Sequence, residues 1–98
     1  MKLAFTPEAE EQADECDRWW REHRDVQDLF ARELAMTKTL LCEAPTIGSV
    51  YATLDGIPVR RVLLRKTRAH LYYSVDDGAE LVKVLAVWGA PKGRGPSL

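Results

Sequence analysis

The chain is 98 residues long, 46% hydrophobic and 30% charged. That composition excludes an intrinsically disordered or membrane-embedded protein and leaves room for one domain, residues 1–98. The formal net charge of −1 argues against a general nucleic-acid binder, but the total hides an asymmetry. Residues 1–44 hold six Lys and Arg against eleven Asp and Glu, whereas residues 45–98 hold eight against four. The second half is where contact with phosphate or an acidic partner is expected. A chain this small buries roughly 60–65% of its unfolded surface, so it either stands alone marginally or leans on a partner. No stretch approaches the ~18 apolar residues of a membrane span, and the first seven residues hold too short an apolar run for a signal peptide. Cys16 and Cys42, with only His23 and His70 beside them, make no zinc framework and at most a thin disulfide scaffold. A reduced cytoplasmic chain is expected, with both thiols as small apolar core residues and no metal or cofactor.

Lys2 to Phe5 reads as a short strand ending at a helix start. Thr6 is a good N-cap, Pro7 suits the first helical position, and Glu8, Glu10 and Glu11 complement the positive helix end. Ala9, Ala13, Cys16 and Trp20 recur at helical spacing and predict a buried face, with Trp19 at its edge or under a second helix. Arg21 to Arg24 form the polar end. Asp25 is the expected cap of a second helix whose buried face is Val26, Phe30, Leu34, Thr37 and Leu41, widened by Leu29 and Leu40. That helix should stop before Pro45, because a residue preceding proline leaves the α region.

After Gly48 the pattern turns to strands: Ser49 to Leu54, Val59 to Arg65, Arg68 to Val75 and Leu81 to Trp88. Turn residues Asp55-Gly56, Lys66-Thr67 and Asp76-Asp77-Gly78 separate them. The near-continuous apolar run from Leu81 predicts a central strand buried on both faces. Within the Arg68 to Val75 segment, Tyr72 and Tyr73 point to opposite faces, and Tyr73, in phase with Leu71 and Val75, is the expected core residue. Residues 90–98 read as a flexible basic tail. The expected fold is α+β: an N-terminal strand, an antiparallel two-helix hairpin, then a mostly antiparallel three- to four-stranded sheet.

Four segments carry a resemblance: Phe5-Thr6-Pro7-Glu8-Ala9 and Pro45-Thr46-Ile47-Gly48 around the helices, then the run from Val59 to Leu64 through His70 to Val75, and Val84 to Gly89. In this order they resemble the RelE/ParE superfamily of bacterial type II toxins over almost the whole chain. The resemblance implies a βααβββ cytoplasmic toxin without a cofactor, neutralised by a cognate antitoxin in a toxin–antitoxin hetero-oligomer. Superfamily members divide into RelE-like toxins, which cleave mRNA in the ribosomal A site, and ParE-like toxins, which inhibit DNA gyrase.

Three departures weaken the RelE-like reading. The strand arginine of RelE-like toxins falls at His70, no tyrosine follows Tyr73, and Lys38 stands alone near the end of the second helix. The sequence therefore favours a ParE-like gyrase inhibitor that performs no chemistry. Its expected target contacts are Arg61, Arg65, Arg68, Trp88, Lys92 and Arg94. The alternative is a RelE-like mRNA endonuclease acting on the ribosome, with His70 as general base beside Arg61, Arg65 and Arg68. A third reading is a non-toxic binding or regulatory subunit. In each case Trp19, Trp20, Leu29 and Tyr72 are the expected antitoxin contacts.

Overall fold

The computed structural model describes residues 1–89 and 95–98. In chain order the elements are β1 (Lys2–Phe5), α1 (Pro7–His23), α2 (Leu29–Glu43), β2 (Ser49–Leu54), β3 (Ile57–Leu64), β4 (Ala69–Asp76) and β5 (Leu81–Trp88). The architecture is α+β, as expected. The N-terminal strand joins the four later ones in a single five-stranded sheet, ordered β1-β5-β4-β3-β2. Only the β1–β5 pair is parallel, and the other three are antiparallel. Both helices pack on one face, against a core that includes Leu71, Tyr73, Val82, Val84 and Val87.

The helix starts follow local chemistry. Thr6 caps α1 by accepting the Ala9 N–H at 3.1 Å, with Pro7 in the first turn. Ala9, Ala13 and Cys16 are buried, and Trp20 packs on the same core. The second helix departs from the expectation: it begins at Leu29, not after Asp25. Residues 25–28 are used to reverse the chain, and the Leu29 N–H closes a turn on the Val26 carbonyl. Val26 is consequently half exposed, and so is Leu40, while Phe30 and Leu41 are buried and Leu34 packs beside them. The Asp28 carboxylate makes no capping bond and pairs with Arg32 at 3.0 Å instead. Cys16 is buried but Cys42 only half so, and the two form no disulfide.

Turns and bulges set which strand residues share a face. Asp55 and Gly56 both have positive φ, 51° and 78°, the two-residue hairpin turn that Asp-Gly favours. On either side of the next turn the strands stop one residue further from it than expected, β3 at Leu64 and β4 at Ala69. Arg65 and Arg68 lie in the turn, not in β3 or β4, and Arg68 has φ 66°. One irregularity separates Val50 from Ala52 in β2. Another falls at Leu85 in β5, because Tyr72 pairs with Ala86 but Tyr73 with Val84. That extra residue switches the phase of β5 and explains the apolar run from Val84 to Trp88. Val82, Val84 and Val87 face the helices, whereas Ala86 joins Val59 and Tyr72 on the opposite side. The strand lies between β1 and β4 and still leaves Lys83 exposed, so it is not buried evenly on both faces.

Three polar anchors tie helices and loops to the sheet. Gln12 Oε1 of α1 accepts the Val87 N–H at 2.8 Å, beyond the last residue that β1 pairs. The Glu33 carboxylate of α2 accepts the Lys66 and Thr67 N–H groups at 2.7 and 2.9 Å and the Thr67 hydroxyl at 2.6 Å, clamping the β3–β4 turn. Ahead of β2, the Gly48 N–H donates to the buried Tyr73 hydroxyl at 2.9 Å, and Arg60 donates to the Gly48 carbonyl at 2.7 Å.

Candidate functional site

The sheet face turned away from the helices gathers the residues that could carry chemistry. Register fixes its layout. Arg61 on β3 is opposite Tyr72 on β4, and His70 is opposite Leu63 on β3 and Trp88 on β5. Arg61 and His70 are therefore diagonal neighbours on one face, within reach of each other's fields. Val59, Tyr72 and Ala86 form the buried floor, with Leu85 and Trp88 packed against it. Tyr51 completes the cluster, its ring 4.8 Å from that of Tyr72 at 72° and 5.0 Å from the Arg61 guanidinium carbon.

The electrostatics suit a neutral imidazole beside a cation. Partial burial holds His70 below its ordinary pKa of 6.5, and the positive charges of Arg61 and Arg68 push in the same direction. At neutral pH the ring is uncharged and able to accept a proton. The arginine charge can meet a phosphate or an oxyanion.

The structure separates the residues expected to act together. Arg61, His70 and Trp88 share the open face. Arg65 and Arg68 stand at the β3–β4 turn, at the end of the sheet. Lys92 and Arg94 lie outside the described residues, as does the first part of the expected tail; residues 95–98 have no regular structure. Arg60, adjacent to Arg61, points to the helix side and is engaged by the Gly48 and Thr46 carbonyls. Lys38 sits over the Phe5 ring at 5.4 Å.

The expected antitoxin contacts divide in the same way. Trp19 and Trp20 line a pocket of about 210 Å³, together with Cys16, Phe30, Ala69 and Gly89. Trp19 stacks on His23 at 4.7 Å, and Arg24 lies over both indoles. Leu29 is half-buried at the neighbouring start of α2. Tyr72 is on the other side of the sheet and only 2% exposed, so it supports the open face from below and offers almost no surface to a partner.

Two residues of this arrangement were not found in the sequence. For Tyr51 the sequence shows only its place in a short strand, because the pairing register that sets its ring beside Arg61 is not written in Ser49 to Leu54. Glu33 carries no sequence signal for its clamp, because its partners Lys66 and Thr67 are more than thirty positions away and only the fold brings them to α2.

The five-stranded sheet with two helices on one face and a basic, aromatic open face has the fold of bacterial RelE toxins. A chain of the intact E. coli RelBE toxin–antitoxin complex superposes with a TM-score of 0.61 at 21% identity, covering 90% of this chain and 94% of that one. The isolated E. coli RelE toxin superposes with a TM-score of 0.57 at 25% identity, covering 90% of this chain and 82% of that one. No family model matches the chain, and no curated protein matches its sequence.

Proposed function

We propose that the protein is a RelE-like toxin of a type II toxin–antitoxin system, cleaving mRNA on the ribosome. The observation that carries this reading is the likeness to RelE over 90% of the chain, which favours the endonuclease over the gyrase inhibitor that the sequence alone suggested. The open face supports it, because strand-borne Arg61 and neutral His70 match what RNA cleavage requires. In this mechanism His70 takes the proton of a ribose 2′-OH. The 2′ oxygen then attacks the adjacent phosphorus, the bond to the 5′ oxygen breaks, and water protonates the leaving oxygen. The products are a 2′,3′-cyclic phosphate and a 5′-hydroxyl. Arg61 stabilises the charge that gathers on the phosphoryl oxygens.

RelE in the RelBE complex is bound by its antitoxin, and a cognate antitoxin is the proposed partner here. The pocket beside Trp19 and Trp20 would seat an apolar antitoxin side chain. Trp20→Ala should weaken the toxin–antitoxin complex at least tenfold by calorimetry; an unchanged affinity would move the contact elsewhere. Primer extension on mRNA after induction without antitoxin should show breaks within codons at the A site. Absence of breaks together with inhibited supercoiling by purified gyrase would return the protein to the ParE-like reading. Unimpaired growth would leave a binding subunit.

A further inference from the structure

The proposed cleavage needs Arg61 where a phosphate passes, yet an arginine on an open sheet face ordinarily samples many rotamers in water. A carboxylate partner would fix it, but would also neutralise the charge that the phosphate requires. The ion pairs among the described residues hold Arg21 and Arg32, not Arg61. An aromatic ring supplies the alternative, because a cation–π contact restrains the guanidinium without cancelling its charge. Tyr51 is in that position, 5.0 Å from the guanidinium carbon. Its own placement is determined on several sides. The pairing register of β2 sets it on this face, and the ring of buried Tyr72 meets it at 4.8 Å. Gly95 lies so near its hydroxyl that an added Cβ would stand 2.8 Å away.

We propose that Tyr51 is a positioning residue: its ring holds the Arg61 guanidinium over the open face, diagonal to His70, where it meets the scissile phosphate. The role in cleavage rests on the endonuclease reading, whereas the hold on Arg61 does not. The charged groups bearing on His70 among the described residues are Arg61 from β3 and Arg68 from the turn before β4; β5 places the uncharged Trp88 opposite. Releasing Arg61 therefore lets one of the two positive charges that disfavour the protonated ring move away from it.

The test combines cleavage of ribosome-bound mRNA in single turnover with NMR titration of the His70 ring in the free protein. The variants are Tyr51→Phe, Tyr51→Leu, Arg61→Ala and the double variant Tyr51→Leu/Arg61→Ala. Loss of the ring should lower the saturated rate roughly 5–30-fold, with a smaller change in the half-saturating concentration. It should also move the His70 titration up toward 6.5. Tyr51→Phe, which keeps the ring, should restore most of the rate, and the double variant should be no slower than Arg61→Ala alone. A Tyr51→Leu protein with the parent's rate and titration would overturn the proposal, as would a further loss in the double variant. If the parent protein cleaves nothing while Tyr51→Leu still shifts the titration, the endonuclease reading falls and the hold on Arg61 stands.

Discussion

At the scale of single residues, the chain end of α2 is locked to the sheet through Gly48. A Cβ there would meet the Tyr73 hydroxyl at 2.7 Å and the Arg61 carbonyl at 2.8 Å, so the close approach requires glycine. The Tyr73 hydroxyl takes the Gly48 N–H, and burial raises its pKa, keeping it protonated. Tyr73→Phe leaves that buried N–H without its acceptor and should cost about 1–3 kcal/mol in urea denaturation; a change under ~0.5 kcal/mol would mean that water replaces the bond. Tyr73 as core residue was legible because period-two alternation puts it in phase with Leu71 and Val75. The Gly48 contact was not, since it joins residues far apart in sequence that only the fold brings together. His70 was legible as a base candidate from its chemistry alone. His70→Ala should lower cleavage ~10²–10⁴-fold. Because its folded pKa is depressed, the acid limb of the rate profile should lie below 6.5, and a limb above 6.5 would remove His70 from the base role.

At the scale of elements, the β3–β4 turn shows how a helix specifies a loop. Desolvation is the largest influence on Glu33 and pushes its pKa up, but hydrogen bonds from Thr67 and Lys66 together outweigh it, leaving the carboxyl below its ordinary 4.5. The anion is therefore the form that stabilises the fold. Its contribution is present above 4.5 and is lost as pH falls through the depressed folded value. Glu33→Gln should be less stable at pH 7 by roughly 1 kcal/mol, a partly solvated contact being worth less than a buried one. The gap should close on acidification below 4.5; a gap that persists in acid would show packing loss instead of a charge effect. Element types were readable throughout because Thr6-Pro7, Asp55-Gly56 and the apolar spacings are local signals. The start of α2 was missed by about a turn, since Asp25 and Asp28 are chemically equivalent caps and only the space needed to reverse the chain decides between them. The bulges at Tyr51 and Leu85 were invisible for a similar reason: an extra strand residue is set by its neighbours across the sheet.

At the scale of the whole molecule, the charge asymmetry becomes spatial. The acidic first half forms β1 and the helical layer, and the basic second half forms most of the sheet, its turns and the C-terminal residues. Arg61 and His70 lie on the face that the helices leave uncovered, which suits a polyanionic target, while the tryptophan-lined pocket lies on the helical side. Target and antitoxin contacts would thus occupy different surfaces. Removing residues 90–98 should abolish toxicity while leaving antitoxin affinity largely intact, measured by growth and calorimetry; full toxicity after truncation would make the tail inert. The resemblance to toxins was readable in the ordered segments, but the grouping of Arg61 and His70 on one face was not, because it depends on strand register. The central claim is tested most directly by incubating purified protein and its His70→Ala variant with programmed ribosomes and mapping the mRNA 3′ ends. The account predicts A-site breaks ending in 2′,3′-cyclic phosphate with the parent protein and almost none with the variant. Intact mRNA with both proteins, or equal cleavage by both, would contradict it.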